Sequence, residues 1–300
     1  MKILFPSTAR MHRARQQLLL KELAKWADVR IVDMEAVGGD MASRSVKYAE
    51  VFDNYIRKNK PDLALIRGDR YEQLPLAMIC AYHEIPIAHL EAGDLSGVID
   101  NRVRGAITSL ADLHFATNSD SWARLITRGT NPETTHNCGS LDVEYARSVQ
   151  QAPGEKIILI LYHALPGEDY LHLDEICAFQ GYKVTGVKGN ADYKNDPKGE
   201  EFKPSEFIKL LSSVACLVGN SSAGLKEASI LGTPVVNIGS RQQNRLKPHN
   251  VRDCAYDIDE IKDAVQHQLK HGAYEPSLIY YKPNTSKLIS ERIRGYLQNK

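Results

Sequence analysis

Acidic side chains follow apolar runs at three places in the first half of the sequence. Asp69 comes just after the run Leu63–Arg67. Glu91 directly follows Ile85–Leu90, and Asp100 comes shortly afterwards. Paired carboxylates are the groups that share general acid and general base roles. Any one of them could equally be a helix N-cap, but three together favour proton-transfer chemistry.

The second half carries residues suited to an anion. Residues 220–224 (Asn-Ser-Ser-Ala-Gly) open a helix after an apolar run, so their backbone N–H groups and two hydroxyls predict a diphosphate cradle, with simple capping as the alternative. His163 ends another apolar run and is either an active-site group or a satisfied core histidine. Arg241 and Arg245 either bind phosphate or are solvated loop charges, and Arg10 follows the first predicted strand.

Composition excludes several other classes. The formal net charge of +1 gives no bulk attraction to nucleic acid or an acidic membrane. No Gly-x-Gly-x-x-Gly or Walker motif marks a dinucleotide or ATP site, so we expect no cofactor. The five cysteines are scattered singly, which predicts no metal site and a reducing compartment. With no predicted signal peptide or membrane span, we expect a cytoplasmic protein.

The elements that must position these residues alternate between strands and helices, which predicts parallel sheets. The strands are predicted at Lys2–Phe5, Asp28–Asp33, Leu63–Arg67, Ile85–Leu90, Leu113–Ala116, Lys156–Tyr162, Tyr182–Val187, Cys216–Val218 and Pro234–Ile238. The helices are predicted at Met11–Trp26, Ser43–Lys58, Tyr71–Tyr82, Arg102–Ala111, Pro204–Ser213, Leu225–Leu231, Ile258–Leu269 and Ser286–Asn299.

The pattern restarts after a linker-like segment at 150–155, and 300 residues suffice for two cores. We therefore predict an α/β protein with two Rossmann-like domains. Residues 1–150 form the first domain with the carboxylates, and 155–282 form the second. Residues 283–300 form a C-terminal helix that packs back on the first domain.

From these residues the chain resembles the UDP-N-acetylglucosamine 2-epimerase family, best in its hydrolysing branch. The resemblance implies a glycosyltransferase-B-like fold. The motifs that carry it are GDR (68–70), HLEAG (89–93), SGVID (96–100), HF (114–115), NAD (190–192), GNSSAGLKEA (219–228), GTP (232–234) and IGSRQ (238–242).

The resemblance implies roles for individual residues, with no metal and no cofactor. The catalytic set comprises Asp69, Glu91, Asp100 and His163. The substrate-binding set comprises Arg10, Arg104, Asn220, Ser221, Ser222, Gly224, Glu227 and Arg241, with Glu227 expected at the ribose.

Three features depart from the family pattern. The second half is shorter after residues 190–192, where one strand–helix unit is expected to be missing. Thr8-Ala9-Arg10 stands where the family usually has Gly-Thr-Arg, and Asn101 replaces a frequent carboxylate. None of these changes removes one of the three carboxylates.

The implied reaction converts a UDP-linked N-acetylated hexosamine, in a cleft between the domains, to the free 2-epimer and UDP through a 2-acetamidoglucal. The alternatives are a non-hydrolysing 2-epimerase, a 2-epimerase for another UDP-sugar, a glycosyltransferase on the same scaffold, and a non-catalytic nucleotide-sugar sensor. The expected partner is a UDP-sugar, with no nucleic acid and no membrane; a homodimer is left open.

Overall fold

The computed structural model describes residues 1–7, 15–33, 39–96, 100–163, 172–188 and 199–300. The chain divides into two compact units. Residues 1–144 together with 282–300 form the N-terminal unit, and residues 145–281 form the C-terminal unit. The two units are described separately below.

The N-terminal unit contains a parallel sheet in the order β2-β1-β3-β4-β5-β6. Its strands are β1 (Lys2–Ser7), β2 (Asp28–Asp33), β3 (Leu63–Arg67), β4 (Ile87–Leu90), β5 (Leu113–Ala116) and β6 (Thr135–Asn137). Its helices are α1 (Gln17–Leu23), α2 (Met41–Asn59), α3 (Gln73–Tyr82), α4 (Asp100–Leu110), α5 (Ser119–Thr127), α6 (Leu141–Ser148, which runs into the C-terminal unit) and α11 (Thr285–Gln298).

Both faces of this sheet are buried, because successive strand side chains point to opposite sides. Leu63 and Leu65 of β3 belong to one apolar cluster, whereas Ala64 and Ile66 belong to the other. The first cluster contains side chains of α1 and α11, and the second contains side chains of α2, α3 and α4. Burial on both faces explains why β3 is a continuous apolar run.

The C-terminal helix packs on the N-terminal unit, as the sequence predicted. Ile289 and Ile293 lie in the same apolar cluster as Leu19 and Leu23 of α1. The Trp26 indole N–H donates to Ser290 Oγ at 2.9 Å. Glu144 accepts from the backbone N–H of Ser286 at 3.0 Å, which satisfies a donor in the first turn of α11.

The C-terminal unit contains a second parallel sheet, in the order β11-β10-β9-β7-β8. Its strands are β7 (Glu155–Leu161), β8 (Lys183–Gly186), β9 (Val214–Gly219), β10 (Val235–Ile238) and β11 (Val251–Cys254). Its helices are α7 (Leu173–Ile176), α8 (Pro204–Ser213), α9 (Glu227–Leu231) and α10 (Ile258–His271), with a 3₁₀ turn at Ser222–Gly224.

The α/β class and the two parallel sheets are confirmed. Several short elements were missed by the sequence prediction: β6, β11, α5, α6 and α7. The polar segment 190–201 was predicted as a loop, and most of it lies outside the described residues. Within the described residues, no helix is long and apolar enough to cross a membrane.

Candidate active site

Strand order marks one position in each sheet where a ligand is expected. In the N-terminal unit β2 and β3 lie on opposite sides of β1, and in the C-terminal unit β8 and β9 lie on opposite sides of β7. Connections that leave such a pair of strands in opposite directions open a crevice at the carboxyl ends of the strands. Most of the predicted site residues follow strands at or beside these two positions.

Asp69 and Arg104 form an ion pair in the N-terminal unit. Arg104 Nη2 donates to Asp69 Oδ2, and Arg104 Nη1 donates to the backbone carbonyl of Asp94 at 2.9 Å. The Arg104 side chain is 3% exposed, whereas that of Asp69 is 23% exposed. Arg104, predicted as a substrate-binding residue, therefore lies beneath a predicted catalytic carboxylate and holds it by charge.

Glu91 forms a similar pair with Arg67, the last residue of β3. Arg67 Nη2 donates to Glu91 Oε1 at 2.6 Å, and Nε donates to the same oxygen at 3.1 Å. Glu91 has a φ of 60°, in the left-handed region that costs a residue with a side chain about 1 kcal/mol or more. The ion pair offsets that cost and fixes the carboxylate beside the Asp69 loop.

Asp100 begins α4, one helical turn before Arg104. Residues four apart lie on the same face of a helix, so Asp100 shares the face from which Arg104 reaches Asp69. Asn101, which replaces a family carboxylate, accepts from the backbone N–H of Ser96 at 2.7 Å and donates to the Ser96 carbonyl. Residues 97–99 of the SGVID motif lie outside the described residues.

His89 supports the loop that carries Asp69. Its Nε2 lies 2.8 Å from the carbonyl oxygen of Gly68, and its Nδ1 lies 3.1 Å from Thr108 Oγ1. Because a carbonyl can only accept, Nε2 carries the proton and Nδ1 accepts from the hydroxyl. Burial lowers the pKa of His89 to about 4, so the ring is a neutral structural donor near pH 7.

Asn220 joins the two strand ends of the C-terminal crevice. Its Oδ1 accepts from the backbone N–H of His163 at 2.9 Å, and its Nδ2 donates to the His163 carbonyl at 2.8 Å. The side-chain amide thus replaces a peptide group and continues the pairing of β7 with β9. Gly219 must lack a side chain here, because a Cβ would lie 2.0 Å from the Leu161 carbonyl oxygen.

The turn after Asn220 carries two serine hydroxyls that are partly buried, and it continues into residues that are fully buried. Ser221 caps the 3₁₀ turn by accepting from the backbone N–H of Ala223 at 3.3 Å. Ser222 is half-buried, whereas Gly224 is buried, and a Cβ on Gly224 would lie 2.9 Å from Val235 Cγ1. Gly224 therefore allows the turn to pack closely against β10.

Arg241 and Gln242 brace this turn from the loop after β10. Arg241 Nη1 and Gln242 Nε2 both donate to the backbone carbonyl of Asn220, at 2.9 Å and 2.8 Å. Glu227, predicted at the ribose, begins α9 and is 1% exposed. His163 is also buried, at 6% exposed.

Two predictions remain, that Arg10 binds substrate and that the protein has no metal site. Arg10 lies outside the described residues. Within the described ranges, no group of three or more His, Cys, Asp or Glu side chains is arranged to hold a metal ion.

Sequence reasoning missed Arg67 and Asp142 as site residues. Arg67 Nη2 also donates to Asp142 Oδ2 at 2.6 Å, so one guanidinium contacts two carboxylates. An arginine that ends an otherwise apolar strand was the available signal for Arg67. Asp142 gave none, because α6 itself was not predicted.

Two α/β units, each with a parallel sheet, are the components of a glycosyltransferase-B-like fold. The chain superposes on the structure of S. aureus MnaA with UDP at a TM-score of 0.82 and 16% identity, covering 99% of this chain and 97% of that chain. At that identity the similarity establishes the fold alone.

The sequence pattern of the UDP-N-acetylglucosamine 2-epimerase family matches residues 9–170 and 199–294. The chain belongs to this family. It is 29% identical over 249 residues to UDP-N-acetylglucosamine 2-epimerase of Neisseria meningitidis serogroup B, covering 72% of this chain and 66% of that protein. It is 31% identical over 266 residues to the hydrolysing UDP-N,N'-diacetylbacillosamine 2-epimerase of Legionella pneumophila, covering 78% and 68%. The matched region spans about two thirds of the length of these relatives.

Proposed function

We propose that the protein is a hydrolysing 2-epimerase that converts UDP-N-acetylglucosamine, or a related UDP-N-acetylated hexosamine, to the free 2-epimer and UDP. The observation that carries this proposal is the pair of carboxylates Asp69 and Glu91. They follow adjacent parallel strands, and each is held by an arginine that is itself buried. Such a site can exchange a carbon-bound proton beside a developing positive charge.

The reaction begins with departure of UDP. The C1–O bond to the diphosphate breaks and UDP keeps the bonding electrons, so C1 gains oxocarbenium character. One carboxylate takes the C2 proton, which leaves a C1–C2 double bond in a 2-acetamidoglucal. Water then adds its oxygen to C1, and C2 receives a proton on the face that yields the manno configuration.

We assign binding of the UDP part of the substrate to the C-terminal unit. Backbone N–H groups at the Ser221 turn, with the hydroxyls of Ser221 and Ser222, suit a diphosphate. Arg241 and His163 are assigned to the negative charge that grows as UDP leaves, and Glu227 to the ribose hydroxyls. The family resemblance assigns Arg10, near the start of the sequence, to the same negative charge. These roles follow from motif correspondence with the family and from the placement of the described residues.

The hydrolysing branch is favoured by the SGVID and IGSRQ segments and by the hydrolysing relative from Legionella pneumophila. Product analysis tests this choice directly. A panel of UDP-sugars, including UDP-N-acetylglucosamine and UDP-N,N'-diacetylbacillosamine, is followed by ¹H and ³¹P NMR with and without sugar acceptors. We expect UDP and a free 2-epimer to form without any acceptor.

Each rival function gives a different result in this assay. Interconversion of intact UDP-sugars would identify a non-hydrolysing epimerase. Release of UDP only when an acceptor is supplied would identify a glycosyltransferase. Thermal stabilisation by UDP-sugars with no turnover would identify a binding protein.

Asp100 provides a further test of the carboxylate site. Asp100→Asn removes the charge from the first turn of α4, and we expect UDP affinity to be retained while turnover is lost. Asp120→Asn is the matched control, because Asp120 is exposed in the first turn of α5. Retained turnover in Asp100→Asn would remove Asp100 from the catalytic set.

A further inference from the structure

A single buried guanidinium lies between two carboxylates in the N-terminal unit. Arg67 Nη2 is 2.6 Å from Glu91 Oε1 and 2.6 Å from Asp142 Oδ2. The exposed fractions of the Arg67 and Asp142 side chains are 7% each, and that of Glu91 is 14%. Glu91 thus lies on the more accessible side of the cluster, and Asp142 lies on the more enclosed side.

Arg67 Nη1, and Nε which also bonds Glu91, face Gln16, the residue just before α1. With the Gln16 amide turned so that its oxygen faces the guanidinium, that oxygen accepts from Arg67 Nε and Nη1 at 3.2 Å and 3.0 Å. Arg15 Nη1 lies 3.9 Å from Asp142 Oδ1. Contacts from the two residues before α1 and from α6 therefore fix the guanidinium plane, and with it the carboxylate of Glu91.

Arg67 contacts both carboxylates at 2.6 Å, whereas Arg15 lies at the longer distance of 3.9 Å from Asp142. Burial opposes the charge on Arg67, but the charges of Asp142 and Glu91 outweigh burial and raise the pKa of the guanidinium. If Glu91 were the only partner of Arg67, the full cation would stabilise the Glu91 anion and make it a weak base. The negative charge of Asp142 offsets part of the Arg67 cation, so that the cation stabilises the Glu91 anion less.

We propose that Arg67 and Asp142 are positioning residues for Glu91 in the reaction. Arg67 orients the Glu91 carboxylate, and Asp142 shares the Arg67 charge so that Glu91 stays basic enough to accept the C2 proton. This inference rests on the proposed function and adds two residues that do not themselves contact the substrate.

Other ionisable groups at this edge of the unit contribute to the field around Glu91. Asp69 and its partner Arg104 come from the β3 loop and α4, and His89 comes from β4. The full set to be held constant in the test is Arg15, Asp69, Arg70, Glu72, His89, Asp94, Asp100 and Arg104. Because none of these is changed in the variants below, a shift in the Glu91 pKa reports on Arg67 and Asp142.

Direct titration of Glu91 tests the charge sharing without relying on turnover. The full-length protein is labelled with ¹³Cδ-glutamate, the Glu91 signal is assigned with Glu91→Gln, and its pKa is measured by NMR. We expect Asp142→Asn to lower the Glu91 pKa by about 1 unit, because the whole Arg67 charge then acts on Glu91. We expect Arg67→Gln to raise it by about 1 unit or more.

Glu144→Gln is the matched control. Glu144 lies on the same helix as Asp142 and is half-buried, but it bonds to Ser286 at the start of α11. We expect this variant to lower the melting temperature and to leave the Glu91 pKa unchanged. If Asp142→Asn does not fold, Asp142→Ser is used instead, since its hydroxyl can still accept one N–H of Arg67.

Kinetics supply the second readout. The acidic limb of the kcat/KM pH profile should move in the same direction as the Glu91 pKa in each variant. In Asp142→Asn we expect kcat to fall by less than about tenfold with KM unchanged, because a weaker base transfers a proton more slowly. Asp142→Glu, which keeps the charge, should restore much of the loss.

An unchanged or raised Glu91 pKa in Asp142→Asn would overturn the inference, as would loss of stability with no movement of the acidic limb. Failure of the proposed function looks different. A wild-type protein that turns over no UDP-sugar would refute that function, while the NMR titration would still decide whether Asp142 tunes Glu91.

Discussion

The two units differ in the side chains that stabilise the carboxyl edge of each sheet: charged pairs in one and a neutral amide in the other. In the N-terminal unit, buried arginines hold Glu91 and Asp69 by charge, at 2.6 Å in the Arg67–Glu91 pair. In the C-terminal unit, the neutral amide of Asn220 spans β7 and β9 by bonding both backbone groups of His163.

This difference fits a division of labour. An arginine–carboxylate pair keeps a base ionised and fixed in direction, which suits proton transfer but is costly to bury. An amide satisfies backbone groups without adding a net charge, so the diphosphate proposed to bind at the adjacent turn would meet no repulsion from this side chain. Exchanging the two kinds of group between the edges should therefore damage each unit in a different way.

The largest effect is expected when an amide replaces a carboxylate at the carboxyl edge of the N-terminal sheet. Asp69→Asn leaves Arg104 without its carboxylate and removes a group that could take the C2 proton. We expect kcat to fall about 10³-fold, with UDP affinity nearly unchanged. The measurement is steady-state turnover of UDP-N-acetylglucosamine together with UDP titration by calorimetry.

Asp62→Asn is its control, because Asp62 is exposed at the opposite end of β3, where it accepts from the backbone N–H of Lys2. Its turnover should equal that of the wild type. A wild-type kcat in Asp69→Asn would show that the Asp69–Arg104 pair has a structural role and no role in turnover.

The reverse exchange replaces the Asn220 amide, at the carboxyl edge of the C-terminal sheet, by a carboxylate. Asn220→Asp keeps the shape but turns a donor towards the His163 carbonyl into a buried anionic acceptor. We expect the free energy of unfolding to fall by about 3 kcal/mol in urea denaturation. Asn131→Asp, at an exposed cap where both residue types are favourable, should change it by less than about 0.5 kcal/mol. Equal stability of the two variants would contradict the role of Asn220.

Acid should weaken the N-terminal unit through histidines that are buried or half-buried. Burial lowers the pKa of His89 and of His136 to about 4, and it also lowers that of His114. Because the folded pKa lies below the unfolded value of about 6.5, stability is complete above that pH and falls as the unfolded chain takes up protons. It continues to fall until the pH reaches about 4.

For the fully buried His89, the loss amounts to about 1 kcal/mol per pH unit. The measurement is the free energy of unfolding between pH 6.5 and 4.5, in the wild type and in His89→Gln. The variant should show a shallower slope. Identical slopes would mean that His89 is protonated in the folded protein as readily as in the unfolded chain.

The smallest effect is expected at the Ser221 turn. Ser221→Ala removes a cap, so we expect a loss of stability of about 1 kcal/mol or less. If the hydroxyl also contacts the diphosphate, UDP affinity should fall by roughly threefold to tenfold. Ser212→Ala, a partner of the linker residue Ala152, should lower stability without changing UDP affinity. Equal UDP affinities in the two variants would restrict Ser221 to capping.

The central strands could be predicted from sequence because burial on both faces leaves a strong apolar signal. The predicted and observed bounds of Leu63–Arg67 are the same, and the chain turns at Gly68, which has a φ of 74°. Strand β6, with the sequence Thr-His-Asn, and β11, with Val-Arg-Asp-Cys, carry no such signal. Both strands lie at sheet edges, where backbone pairing with the neighbouring strand, β5 or β10, stabilises them.

The same limit applies to the site. Asp69 and Glu91 could be expected to lie close together, because both follow neighbouring parallel strands. The contact between Arg67 and Asp142 joins residues 75 positions apart and depends on β6 and α6, neither of which was predicted. Similarly, the resemblance to the family implied a substrate-binding role for Arg104, and only the three-dimensional structure pairs it with Asp69.

The most direct test of the proposed chemistry is incubation of the protein with UDP-N-acetylglucosamine in D2O, followed by NMR of the products. Removal and return of the C2 proton at the carboxylate site predicts UDP and free N-acetylmannosamine with deuterium at C2. Free sugar with a fully protonated C2 would contradict proton exchange at these carboxylates.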